Sequence, residues 1–76
     1  MGDDSKASSA PVGALALAAG QAFPLEVCQS AAGYYIVGTR EPSGAPFTRE
    51  SREYWPSLEA TQRALDRRTW TQRGEL

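Results

Sequence analysis

The chain has 76 residues, of which 41% are hydrophobic, and its formal net charge is −1 at pH 7. A chain of this length forms one domain that buries only about 60% of its unfolded surface, so a deep catalytic cleft is not expected. The near-zero net charge argues against a protein that works mainly as a polycation or a polyanion.

The residue types that carry most catalytic and metal chemistry are missing or scarce. The chain has no histidine, which removes the commonest acid–base and imidazole-ligand chemistry near neutral pH. Cys28 is the single cysteine, so neither an intrachain disulfide nor a cysteine-rich zinc site can form. Without a neighbouring base, this thiol is interpreted as a small, half-buried side chain. The sequence therefore predicts no enzyme, no cofactor and no metal site.

The cellular setting is predicted from the same features. One free cysteine fits a reducing compartment. The apolar run of residues 12–19 is too short to span a bilayer, and Asp3 and Asp4 precede it where a secretory signal would be basic. We therefore expect a cytoplasmic protein that does not contact a membrane, with a cleaved signal peptide as the alternative.

The first predicted segment, residues 1–11, is small and polar and contains nothing large to bury. Such a segment cannot repay the entropy of ordering, so we predict a flexible tail. Residues 12–76 are predicted to form a single α+β domain.

Two runs of alternating apolar residues open this domain. Leu15 and Leu17 alternate with alanines, which is the period of a half-buried strand, although an alanine-rich helix is the competing interpretation. Leu25 and Val27 alternate with polar or small residues in the same way. Because Gly20 lies between the two runs, together they predict a hairpin.

The densest run of β-branched and aromatic residues begins at Tyr34, and we predict a central strand from Tyr34 to Arg40. Turn-forming clusters at residues 30–33 and 41–46 bracket it, as in a meander. Both faces of this strand carry bulky groups, so one face is expected to pack on a helix. Residues 47–55 mix β-formers with charges and predict an outer strand, either regular or bulged.

A helix is predicted over residues 58–68. Ser57 is positioned to cap it, and Glu59 in its first turn complements the helix dipole. At 3.6 residues per turn, the arc facing the sheet contains Leu58, Ala60, Thr61, Ala64 and Leu65. Residues 69–73 are expected to leave the helix as an extended tail or short strand, with Trp70 against the core. The predicted fold is thus a small antiparallel three- to four-stranded β-meander with one helix packed on a face.

The remaining signal is arginine beside aromatic residues. Such side chains serve as hot spots for protein partners, and equally bind nucleic acid by phosphate contact and stacking. The simpler alternative is that the aromatic residues lie in the core and that the arginines form a solvated surface. Because the near-zero net charge counts against nucleic acid, a protein partner is preferred. The candidate partner-binding residues are Tyr35, Arg49, Arg52, Arg63 and Arg67.

Short segments of the chain resemble the recurring pattern of small, uncharacterised bacterial proteins found among mobile-element genes. They are Gly33-Tyr34-Tyr35-Ile36, Gly38-Thr39, Arg49-Glu50-Ser51 followed by Glu53-Tyr54, and Trp70-Thr71-Gln72-Arg73. Val37 interrupts what usually reads Tyr-Ile-Gly-Thr.

This resemblance implies a function in the bacterial host of a phage or another mobile genetic element. Small orphan proteins of such elements include anti-CRISPR inhibitors, which bind a CRISPR surveillance complex and block its action without catalysis. The alternatives are a small nucleic-acid-binding accessory protein and, less favoured, an antitoxin-like binder.

Overall fold

The computed structural model describes residues 11–75, so the predicted tail lies outside the described residues except for Pro11. The Pro11 carbonyl accepts a hydrogen bond from the Leu25 amide (2.8 Å). In chain order the elements are α1 (Ala14–Ala18), β1 (Glu26–Gln29), β2 (Tyr35–Arg40), β3 (Pro46–Arg49) and α2 (Leu58–Arg67). The predicted α+β fold is confirmed, with three antiparallel strands in the sheet and α1 as an additional helix.

Strand β2 lies at the centre of the sheet, in the order β1-β2-β3, which confirms the predicted central strand. The predicted outer strand over residues 47–55 forms a ladder with β2 only in β3, where the register already shifts between Thr39 and Arg40. Pairing then breaks because the amides of Glu50 and Ser51 both donate to the Val37 carbonyl (2.8 and 3.0 Å), the geometry of a β-bulge. It resumes at Trp55, which exchanges two hydrogen bonds with Tyr35.

The predicted first strand of a hairpin is wrong, because the alanine–leucine run forms helix α1. Leu15 and Ala16 are both buried whereas Leu17 is exposed, a pattern that does not follow the period of a strand. Alanine and leucine are also strong helix formers. In place of the predicted hairpin, a single β-bridge joins Val12 to Pro24.

Helix α2 forms almost as predicted. The Ser57 hydroxyl accepts a hydrogen bond from the Ala60 amide (3.1 Å), and the helix ends at Arg68 in a left-handed conformation (φ 56°). Thr61 and Ala64 are buried, as the predicted arc requires. Leu58 is 51% exposed, however, since helical periodicity gives the direction of a side chain but not how far the sheet extends beneath it.

The helices lie on one face of the sheet. Val37 and Thr39 of β2 point to this face and are fully buried. Helix α1 packs against β3, and α2 packs against β1 and β2. By strand alternation, Ile36 and the preceding Tyr34 point to the opposite face.

The carboxyl-terminal segment folds back onto the residues that follow β3. The Arg73 amide donates to the Glu50 carbonyl (2.7 Å), and the Arg52 amide donates to the Thr71 carbonyl (2.9 Å). Between these bonds Ser51 and Gln72 form a bridge, so the predicted extended segment is confirmed as a one-bridge pairing. Trp70 is half-buried ahead of it.

A buried carboxylate joins these parts. The Glu50 side chain is 0% exposed and caps the first turn of α1 from a distance of 35 residues along the chain. Its Oε1 accepts from the Leu15 amide (3.0 Å) and from Gln72 Nε2 (2.7 Å). Its Oε2 accepts from the Ala16 amide (3.1 Å) and from the Thr48 hydroxyl (2.7 Å). One side chain therefore fixes α1, β3 and the carboxyl-terminal segment together.

The protons around Glu50 can be placed from these contacts. Because the Thr48 hydroxyl donates to Glu50, the Thr39 hydroxyl must donate in their mutual contact (2.6 Å), and its oxygen accepts from the Thr48 amide (3.2 Å). Burial raises the pKa of Glu50, but the hydrogen bonds donated to its carboxylate outweigh that effect. The pKa of Glu50 consequently lies below its ordinary value of 4.5, and the group is ionised in the folded protein near neutral pH.

Gly13 makes the room for this carboxylate. A Cβ atom at Gly13 would lie 2.5 Å from Glu50 Oε2 and 2.6 Å from Thr39 Cγ2. The backbone of Gly13 has φ −71° and ψ 128°, which any residue adopts. The requirement for glycine here is therefore one of space and not of backbone conformation.

We expect Glu50→Gln to reduce the free energy of unfolding by about 2–3 kcal/mol at pH 7. The amide nitrogen of glutamine cannot accept, so at least one buried donor of α1 or its neighbours loses its partner. Urea unfolding measures this, with the exposed Glu41→Gln as control, expected within about 0.5 kcal/mol of the parent.

The same pair of variants tests the pKa of Glu50. A depressed folded-state pKa contributes stability that is present above the unfolded-state pKa and is lost as the pH falls through the folded-state value. The difference in stability between the parent and Glu50→Gln should shrink as the pH is lowered below 4.5. Equal stability of the Glu50→Gln and Glu41→Gln variants at pH 7 would show that the carboxylate is not the cap that holds α1.

We also expect Gly13→Ala to destabilise the fold by about 1–3 kcal/mol, the usual cost of overpacking. The matched control is Gly74→Ala, because a Cβ there meets nothing within 4 Å and its φ is not positive. Thermal unfolding measures the stability of both variants, and only Gly13→Ala should melt at a lower temperature than the parent. If Gly13→Ala and Gly74→Ala melted alike, the close approach of Glu50 to Gly13 would be refuted.

Candidate functional site

Two exposed tyrosines form a pair on the face of the sheet opposite the helices. Tyr34 precedes β2 and is 45% exposed, while Tyr54 precedes the renewed pairing at Trp55 and is 58% exposed. Their ring centroids lie 4.9 Å apart at an angle of 49°. Because large aromatic side chains are normally buried in a domain this small, a paired and exposed set marks this surface.

Arg49 lies beside this pair and is held in place by backbone carbonyls. Its Nε donates to the Ser51 carbonyl (2.9 Å) and its Nη2 to the Arg52 carbonyl (2.7 Å). The guanidinium carbon lies 5.7 Å from the centroid of the Tyr54 ring, within the range of a cation–π contact. We call Tyr34, Arg49 and Tyr54 the tyrosine–arginine patch.

The patch borders two depressions. The first, about 330 Å³, is lined by Ser30, Ala32, Tyr34, Ile36, Arg49 and Tyr54. The second, about 340 Å³, is lined by Arg49, Arg52, Arg73, Gly74 and Glu75, and we call it the arginine cleft. Arg49 lines both, so the two depressions adjoin at this residue.

The structure brings together some of the residues predicted from the sequence. Arg49 and Arg52 line the same cleft. Tyr35 is half-buried, and its backbone is paired with Trp55. Arg63 and Arg67 are exposed on α2, and neither lines the arginine cleft.

The candidate partner-binding residues predicted from the sequence do not include Tyr34, Tyr54 and Arg73. The quoted segments contain all of them, but adjacent tyrosines at positions 34 and 35 give no indication of which one faces solvent. That choice depends on which face the helices cover, and the position of Arg73 depends on the return of the carboxyl-terminal segment.

The Cys28 thiol is buried on β1. Burial raises the pKa of Cys28 above its ordinary value, and the nearby Arg40 guanidinium opposes this only in part. A buried thiol with a raised pKa is a poor nucleophile. Among residues 11–75 no group of three or more cysteine or acidic side chains could hold a metal ion.

The outer edge of the sheet is covered by a side chain. The amide and carbonyl of Val37 both face β3, so those of its β1 partner Val27 point away from the sheet. Arg40 Nη2 donates to the Val27 carbonyl (2.8 Å), while Arg40 Nε lies 3.8 Å from Glu26. A charged side chain over an edge strand disfavours addition of a further strand, which leaves the tyrosine–arginine patch as the better candidate interface.

Comparison with known proteins found no match among protein-family models, curated proteins or solved structures. Within the described part of the chain, no helix is both long and apolar enough to cross a membrane.

Proposed function

We propose that this chain acts without catalysis, by binding a protein partner through the tyrosine–arginine patch. The observation that carries the proposal is the exposed Tyr34–Tyr54 pair with Arg49 fixed beside it. Tyrosine and arginine are enriched among the few residues that supply most of the binding energy at protein interfaces. Because Arg49 is already held by backbone carbonyls, little conformational entropy is lost when a partner binds.

The form of binding that we propose is inhibition of a CRISPR surveillance complex in a bacterial host. The resemblance of the quoted segments to proteins of mobile elements supports this proposal. In the folded chain, residues from three of those segments line two depressions that adjoin at Arg49: Tyr34 and Tyr54 line one, and Arg73 lines the other. An inhibitor of this kind blocks its target by occupying a surface, which requires no catalytic group.

A second candidate function is binding of nucleic acid, and the arginine cleft is the observation that favours it. Arginine beside exposed aromatic rings suits a phosphate backbone with stacked bases. Two observations make it less favoured. The chain has a net charge of −1, and two of the nitrogens of the Arg49 guanidinium already donate to backbone carbonyls.

We expect Tyr54→Ala, and Tyr34→Ala to a similar degree, to weaken capture of the partner by about 2 kcal/mol each, or roughly 30-fold. The measurement is binding of purified CRISPR surveillance complexes, with and without guide RNA, to the immobilised chain. Leu58→Ala is the matched control, because this residue is also a large exposed apolar side chain but lies on α2.

The charge reversals Arg63→Glu and Arg67→Glu, made together, determine whether the predicted residues on α2 take part in binding. Folding of every variant is checked by its melting temperature. If both tyrosine variants bound as tightly as the parent, the tyrosine–arginine patch would be excluded as the interface.

Salt dependence separates the two candidate functions. With a protein partner, the chain alone should show no appreciable binding to a 20-base-pair duplex or to a 12-nucleotide single strand in about 150 mM salt. A nucleic-acid binder would instead bind with a log–log salt slope of about −0.9 per phosphate contact on duplex DNA. Fluorescence anisotropy at several salt concentrations distinguishes them, and tight, salt-dependent DNA binding would reverse the ranking.

A further inference from the structure

We infer that the arginine cleft binds carboxylate groups, and that the partner segment in contact with this surface is acidic, with an apolar residue placed over the tyrosine–arginine patch. This inference rests on the proposed function and specifies the chemistry of the partner.

The backbone beneath the arginine cleft is fixed by hydrogen bonds between two chain segments. The bridge between Ser51 and Gln72 joins the segment that contains Arg52 to the segment that contains Arg73. The Arg73 side chain is also held, since its Nη1 donates to the Arg49 carbonyl (3.3 Å). The guanidinium groups of Arg49 and Arg73 are therefore positioned before a ligand arrives, which lowers the entropic cost of binding.

The positive charge in the cleft is only partly balanced within the described part of the chain. The ion pair found among residues 11–75 joins Arg40 to Glu26, away from the cleft. Glu53 makes no ion pair with the adjacent Arg52, and its Oε1 accepts from the Thr71 amide (2.9 Å). Burial raises the pKa of Glu53, but the Thr71 hydrogen bonds and the Arg52 charge together lower it below its ordinary value. Glu75 is the single acidic residue that lines the cleft, against three arginines. Like charges brought together repel, and an incoming anion relieves that repulsion.

The available donors favour a carboxylate. None of the side-chain hydrogen bonds among residues 11–75 uses the Arg52 guanidinium, so its planar fork is free for bidentate binding. A dense row of phosphates would also approach Glu75, which lines the cleft, and be repelled. A peptide with one or two carboxylates can avoid this residue, and the adjoining tyrosines offer contact area to a neighbouring apolar side chain.

The test uses the full chain and a peptide of sequence Gly-Phe-Asp-Gly-Asp-Gly, acetylated at its amino terminus and amidated at its carboxyl terminus so that the two aspartates carry its only carboxylates. It is compared with the equally blocked neutral counterpart Gly-Phe-Asn-Gly-Asn-Gly and with the oligonucleotide dT12. In ¹⁵N-resolved NMR spectra, the acidic peptide should shift the side-chain NεH signals of Arg49, Arg52 and Arg73, and the neutral peptide should not. Arg52→Gln should weaken binding of the acidic peptide about tenfold or more, because a charge-assisted contact is lost. Arg63→Gln, an exposed arginine on α2, is the matched control and should leave it unchanged.

Three results would overturn the inference: equal shifts with the neutral peptide, shifts centred on Arg63 and Arg67, or tighter binding of dT12 than of the acidic peptide. Failure of the acidic-segment inference is distinguished from failure of the proposed function by measuring how well each variant captures the surveillance complex. If Arg52→Gln still captures the complex and Tyr54→Ala does not, the acidic-segment inference is wrong while the proposed interface stands. If Tyr34→Ala and Tyr54→Ala both capture the complex normally, the proposed interface itself is wrong.

Discussion

The buried carboxylate of Glu50 is the interaction on which the rest of the structure depends. An ionised group away from water is tolerated only when its oxygens are saturated with donors, and Glu50 meets this condition with four of them. The donors come from α1, from β3 and from the carboxyl-terminal segment. A five-residue helix is too short to be stable alone, so α1 exists because this anion caps its amino terminus.

The bulge at Glu50 and Ser51 also positions the Arg49 side chain on the opposite face of the sheet. Because the amides of Glu50 and Ser51 share the Val37 carbonyl, the chain leaves the regular ladder at the end of β3. The three carbonyls that follow, from Ser51 to Glu53, turn toward the Arg49 guanidinium. Arg49 in turn lies against Tyr54. The buried Glu50 carboxylate and the half-buried Arg49 guanidinium are thus two consequences of this bulge, on opposite faces of the sheet.

This arrangement gives the proposed interface an unusual source of rigidity for so small a domain. The side chains of the patch and cleft are not supported by a large apolar core, since the fully buried side chains include Glu50, Thr39, Thr61 and Ser51. They are supported by hydrogen bonds that the polar interior and the returning carboxyl-terminal segment provide. Polar networks of this kind specify one geometry strongly when every member is satisfied.

The sequence by itself determined the central strand and helix α2. The β-branched run at residues 34–40 and the Ser57 cap with its periodic arc are local signals, and they agree with the tertiary context. It could not determine α1, because a short alanine–leucine run fits both periods and its cap comes from Glu50, 35 residues away. Nor could it choose Tyr34 over Tyr35, or gather Arg49, Arg52 and Arg73 at one cleft. Those outcomes depend on which sheet face the helices cover and on the pairing of distant backbone segments, and only the tertiary structure decided them.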